Sequence, residues 1–130
     1  MITDEHIKRH EKKLEKARLN KTSFMSNSKW EKLFQAVADS ELSLFNDSIK
    51  YLTEDTTRPF SLKEDGLYWG GRHSTVDGGA RGGCPVPYKE IEYIFVPTQN
   101  DILALEKLIV GLGLYEYDLT EEGMKIYGYK

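Results

Sequence analysis

Apolar side chains recur at Trp30, Leu33, Phe34 and Val37, the i, i+3, i+4, i+7 spacing of one helical face. The spacing predicts an amphipathic helix in "SNSKWEKLFQAVADS", capped by Ser26, Asn27 or Ser28. A second stripe runs through Ile102, Leu105, Leu108, Ile109 and Leu112. Thr98 and Asp101 stand at capping-box spacing before it, and Gly111 or Gly113 ends it. The first segment, "TDEHIKRHEKKLEKARLNK", is also helix-forming, with Thr3 as N-cap and Asp4–Lys8 and Glu5–Arg9 pairs in supporting order. Its apolar stripe is thin, Ile7, Leu14 and Ala17 at most, which predicts an arm outside the core.

Strand patterns lie between and after these helices. "LSLF" and "SIKYL" read as short strands around the turn-prone Asn46-Asp47, and "GLYWGG" as another. "EIEYIFVP" is the strongest, with Ile91, Tyr93 and Phe95 expected on one face and Ile94 and Val96 on the other. Apolar residues on both faces suggest a central strand. "LYEYDLTEEGMKIYGY" reads as a hairpin with its turn at Thr120 to Gly123, where Gly123 supplies a positive φ. Tyr115 and Tyr117 alternate there with Glu116 and Asp118. The expected fold is α+β: an antiparallel or mixed sheet of four to five strands, two core helices on one face, and an extra N-terminal helix. Residues 1–21 are expected to form a basic helical arm and residues 22–130 a single domain.

At 130 residues the chain is long enough for a core without disulfides or metal. One cysteine, no apolar stretch of membrane-spanning length and no apolar signal core lead to the expectation of a cytoplasmic protein that does not enter a membrane. The net charge of −3 is unevenly spread. Residues 1–32 hold nine Lys/Arg against five Asp/Glu; the other 98 hold nine against sixteen. A body with that surplus of carboxylates suits a basic protein partner better than a phosphate backbone, so nucleic acid is not the expected ligand.

The segment "GGRHSTVDGGARGGCPVPYKEIEYIFVP" holds most of the unusual chemistry. Its glycines make neither a dinucleotide nor a P-loop motif, and a strand follows where a phosphate cradle needs a helix. Arg72, His73 and Arg81 could together hold an anion or a small molecule, which is the alternative reading of function; pairing with nearby carboxylates is the plainer one. Cys84 and His73 lack the surroundings of a thiol–imidazole catalyst. His6 and His10 are four apart on a helix but lack the zincin Glu, and no metal or cofactor is expected. Glu90 and Glu92 are read as an exposed charged strand face. Tyr115, Glu116, Tyr117 and Asp118, with Glu90 and Glu92, are the expected partner-binding set, because tyrosines among carboxylates suit a basic protein surface.

"NSKWEKLFQAV", "PVPYKEIEYIFV" and the terminal "MKIYGY" occur in an order that resembles a small bacterial family labelled as a domain of unknown function. Trp30, Pro87, Tyr88, Ile91, Glu92, Gly128 and Tyr129 carry the resemblance, over roughly residues 22–130. In size, acidity and lack of a catalytic set the chain is also similar to bacterial immunity proteins. That likeness implies a non-enzymatic domain that neutralises a toxin by covering its active site.

Overall fold

The computed structural model describes residues 4–67, 75–76 and 86–130. Helix α1 (Asp4–Arg18) is followed by α2 (Asn27–Asp39), then strands β1 (Ser48–Tyr51), β2 (Arg58–Pro59), β3 (Thr75–Val76) and β4 (Val86–Pro87). After a 3₁₀ turn (Tyr88–Glu90) come β5 (Ile91–Pro97), α3 (Ile102–Leu112), β6 (Tyr117–Leu119) and β7 (Gly123–Tyr127). Five strands form one sheet in the order β2-β1-β5-β7-β6, every described pairing antiparallel, and β3 pairs with β4 separately. The class is α+β.

One face of the sheet carries α2 and α3. Trp30, Leu33, Phe34 and Val37 of α2 and Leu105 and Ile109 of α3 are buried against Ile49, Ile91, Ile94, Val96, Met124 and Ile126. Phe34 organises the aromatic centre: it stacks on Trp30 at 5.4 Å and meets Tyr88 at 5.3 Å and Phe60 at 6.1 Å. The Tyr88 hydroxyl donates to the Gly66 carbonyl at 2.7 Å, and burial raises its pKa to about 12. It therefore stays a neutral donor inside the core.

The alternation expected in β5 breaks at one residue. Lys50 opposes Tyr93 while Tyr51 opposes Ile91, so Glu92 is an extra residue, a bulge. Ile91 consequently joins Ile94 and Val96 on the helix side, and Tyr93 and Phe95 alone keep the other face. The bulge carbonyl is used twice: Gly128 and Tyr129 N–H groups donate to Glu92 O at 2.8 and 3.1 Å. Gly128 also lies so close to the Ile91 carbonyl and the Trp30 ring that a side chain has no room there.

Other boundaries differ from expectation in instructive ways. Leu42 to Phe45 form no ladder; Lys63 donates to Leu42 O at 2.7 Å, and Asn100 holds Phe45, accepting from its N–H at 2.7 Å and donating to its O at 2.9 Å. A buried side-chain amide thus replaces a strand partner. Helix α3 is capped by Asp101, which accepts from Ala104 N–H, so Thr98 is not its cap. Ser26 caps α2. The "GLYWGG" strand and Thr3 lie largely outside the described residues; Gly66 and Leu67 are not in a strand.

Helix α1 sits on the opposite side from α2 and α3. Leu14, with Ala17 beside it, packs on Leu52 and Tyr129 in a second, smaller cluster. The segment that follows pairs with the C-terminus, Thr22 and Lys130 exchanging N–H···O bonds at 3.0 and 3.1 Å. The arm is therefore held at both its helix and its exit.

Gly123 closes the β6–β7 hairpin at φ +151°, where an added Cβ would strike the Val96 carbonyl. Gly123→Ala is expected to destabilise the fold by about 2 kcal/mol or more, read as a lowered denaturant midpoint with unchanged m. An unchanged midpoint would show that the turn relaxes freely.

Candidate functional site

The expected partner-binding residues divide between two environments. Tyr115 and Tyr117 turn toward the helices: the Tyr115 hydroxyl donates to Lys29 O at 3.1 Å, and the Tyr117 hydroxyl donates to Glu106 Oε2 at 2.9 Å. Burial raises the Tyr115 pKa, and the Glu106 carboxylate raises that of Tyr117, so both remain donors. Glu116 and Asp118 point to the opposite face, where Lys130 meets them at 3.3 and 3.5 Å.

Glu90 and Glu92 do not form an exposed pair. Glu90 is buried, and His10 Nε2 of α1 donates to its Oε1 at 2.8 Å. The 3₁₀ turn takes Glu90 off the strand and α1 covers it. Glu92, at the bulge, is mostly covered and is met by Lys50 at 2.8 Å and Lys21 at 3.8 Å. His10 is thus a docking residue of α1, and among the described residues no His, Cys, Asp or Glu group is arranged to hold a metal ion. Arg72, His73, Arg81 and Cys84, the proposed anion and thiol residues of the Gly-rich segment, lie outside the described residues.

Two surfaces emerge that the sequence patterns did not single out. The first is the margin where α3 runs beside β6. Leu103, Val110 and Leu114 are 77%, 59% and 91% exposed, and Leu119 at the end of β6 is exposed as well. Leu103 and Val110 are seven residues apart, on the face of α3 opposite Leu105 and Ile109. The predicted stripe captured only the buried side; the signal for the other was the near-continuous hydrophobicity of "ILALEKLIVGL".

The second is the sheet face turned away from α2 and α3. Cross-strand pairing places Lys50, Tyr93 and Tyr127 in one row and Ser48, Phe95, Lys125 and Asp118 in the next. Tyr93 and Tyr127 meet edge to face at 6.2 Å. Lys125 stands 4.6 Å over the Tyr93 ring and Lys130 5.0 Å over the Tyr127 ring. The Tyr127 hydroxyl donates to Asp118 at 2.9 Å, and burial, then this bond, raises its pKa to about 12.

Asp47 is a buried carboxylate in neither surface. Its Oδ2 accepts from Leu62 N–H at 3.0 Å, while Oδ1 has no hydrogen-bond partner among the described residues. Burial raises its pKa above 3.8. No family model, curated protein or solved structure matches the chain.

A raised pKa means that the folded chain holds the Asp47 proton more tightly than the unfolded chain. The stability from this group is therefore fully present below 3.8 and is lost as pH climbs through the folded value. Asp47→Asn is expected to raise Tm at pH 7 by a few degrees, equivalent to about 1 kcal/mol, and the gap should close on acidification toward pH ~4. Thermal scans across that range test this; a gap independent of pH would assign the effect to packing.

Proposed function

We propose that the chain is a non-enzymatic protein-binding domain whose docking surface is the α3–β6 margin. The observation that carries this reading is the set of exposed Leu103, Val110, Leu114 and Leu119, with Glu121 and Glu122 exposed at the β6–β7 turn and Glu116 and Asp118 on the far side of the β6 edge. An apolar centre with a charged rim is the anatomy of a protein interface, and a soluble domain seldom exposes several large aliphatic side chains together without use. The acidic rim suits a partner with lysines or arginines around an apolar patch. In its specific form the proposal takes the partner to be a toxin domain whose basic active-site residues meet that rim, as the likeness to immunity proteins implies.

The proposal divides the work between two groups of residues. Leu103 and Val110 supply contact area and resist dissociation, whereas Glu116 and Asp118 steer approach. In affinity capture from the source lysate, the wild type is expected to retain one stoichiometric protein that Leu103→Asp/Val110→Asp loses, with affinity down at least about tenfold. With that partner in hand, Glu116→Lys/Asp118→Lys should slow association and flatten its dependence on salt. Retention unaltered by the α3 variant would overturn the placement of the surface, and unaltered association kinetics would remove the steering role.

A further inference from the structure

We propose that the sheet face turned away from α2 and α3, with α1 along its margin, binds single-stranded nucleic acid. Tyr93, Phe95 and Tyr127 are half-exposed on the two neighbouring strands β5 and β7, a floor on which unpaired bases can stack. Stacking needs no particular base, since each has a π face. The floor comes with cations in reach of a phosphate chain running over it: Lys50 and Lys125 lie in the same rows, and Lys21 and Lys130 stand at the edges.

The carboxylates of this face each have a lysine in contact. Glu92 is shared by Lys50 and Lys21, and Glu116 and Asp118 are shared by Lys130. Lys125 has its contact with the Tyr93 ring, from which its flexible stem can swing to a phosphate and free the ring. Helix α1 adds the regular element. Its docking stripe, His10, Leu14 and Ala17, leaves Lys8, Lys12 and Lys16 on the opposite arc, all exposed, with Lys13 at the flank and Arg9 paired to Glu5 at 3.3 Å. Lys8, Lys12 and Lys16 recur every four residues, about 6 Å along the helix, a spacing that can follow a phosphate chain. Arg18 stands over the ring of Tyr129 at 5.6 Å, which ties the basic helix to the edge of the aromatic floor.

The whole-chain acidity does not describe this side. Six basic and four acidic residues lie on α1, and four lysines meet three carboxylates on the sheet face, in a chain whose total is −3. Among the described residues this face is a strand surface of aromatic rings and lysines, which favours a strand with free bases over a duplex, whose bases are stacked out of reach. Nor does the basic arc of α1 carry the apolar residues that insertion into a lipid surface requires.

The test is fluorescence anisotropy of a labelled mixed-sequence oligodeoxynucleotide about a dozen residues long, as a single strand and as a duplex, with polyglutamate as competitor. The single strand is expected to bind, and the duplex to bind at least about tenfold more weakly. Phe95→Ala should cost about tenfold and Phe95→Trp little. Lys125→Ala should flatten the slope of log K against log salt by about 0.7, measured between about 50 and about 200 mM. Both residues are half-exposed, so unchanged thermal melting is the check on folding. Binding should persist in Leu103→Asp/Val110→Asp, which separates this surface from the α3 margin. Absence of binding at low salt, equal affinity for the duplex, or indifference to Phe95→Ala would overturn the proposal. So would displacement by polyglutamate as effective as displacement by the unlabelled strand, since that would mark a general acceptor of acidic polypeptides.

Discussion

The single extra residue in β5 decides how the two faces of the sheet are used. Without the bulge at Glu92, strict alternation would place Ile91 with Tyr93 and Phe95, away from the helices. With it, Ile91, Ile94 and Val96 all reach the core, and all three are essentially inaccessible to solvent. The same displacement puts a carboxylate beside Lys50 and gives its carbonyl to two amides of the C-terminal segment. The burial of Ile91 and the attachment of the chain end therefore follow from one local insertion. Gly128 belongs to the same device, because the bulge brings the backbones together where Trp30 also presses in.

Folding also sorts charge in a way that a sum over the chain conceals. The lysine-rich arm does not neutralise the acidic body by spreading over it. It docks through Leu14 and Ala17, the His10 bond to a buried glutamate, Arg18 over Tyr129 and Lys21 on Glu92, and leaves Lys8, Lys12 and Lys16 outward. The acidic surplus remains on the helix side and around the β6–β7 turn, where Glu106, Glu121 and Glu122 lie. Exposed ion pairs on such surfaces add little stability, so this separation is better understood through association than through folding.

What the sequence made legible was periodic. Helices α2 and α3, strand β5 and the β6–β7 hairpin each repeat a simple spacing over enough residues to be read directly, and Gly123 stands where a positive φ is required. What it hid was non-local or aperiodic. A bulge is one residue long and leaves no repeat. The burial of Glu90 depends on His10, eighty positions away, and the unladdered Leu42 to Phe45 segment depends on Lys63 and Asn100. The exposed side of α3 was hidden differently, because hydrophobicity all round a helix announces burial without saying which face finds a partner. The tyrosines show the same limit: alternation separated Tyr117 from Asp118, but only pairing with β7 reveals which of them joins Tyr93 and Tyr127.

The two surfaces have different physical characters, and that difference bears on how they would act together. The α3 margin is aliphatic, with a carboxylate rim, and a contact there would be governed by desolvation and respond weakly to salt once formed. The sheet face is aromatic and cationic, and a polyanion held there would be released steeply as salt rises. Because α2, α3 and the core lie on one side of the sheet and α1 on the other, the surfaces share no residue except the carboxylates at the β6 edge. Glu116 and Asp118 belong to the rim of one and, through Lys130, to the margin of the other. Basic partner residues that captured both carboxylates would free Lys130 from its ion pairs and raise the positive potential beside Tyr127. Occupation of the first surface would then strengthen the second, a coupling that needs no change in backbone.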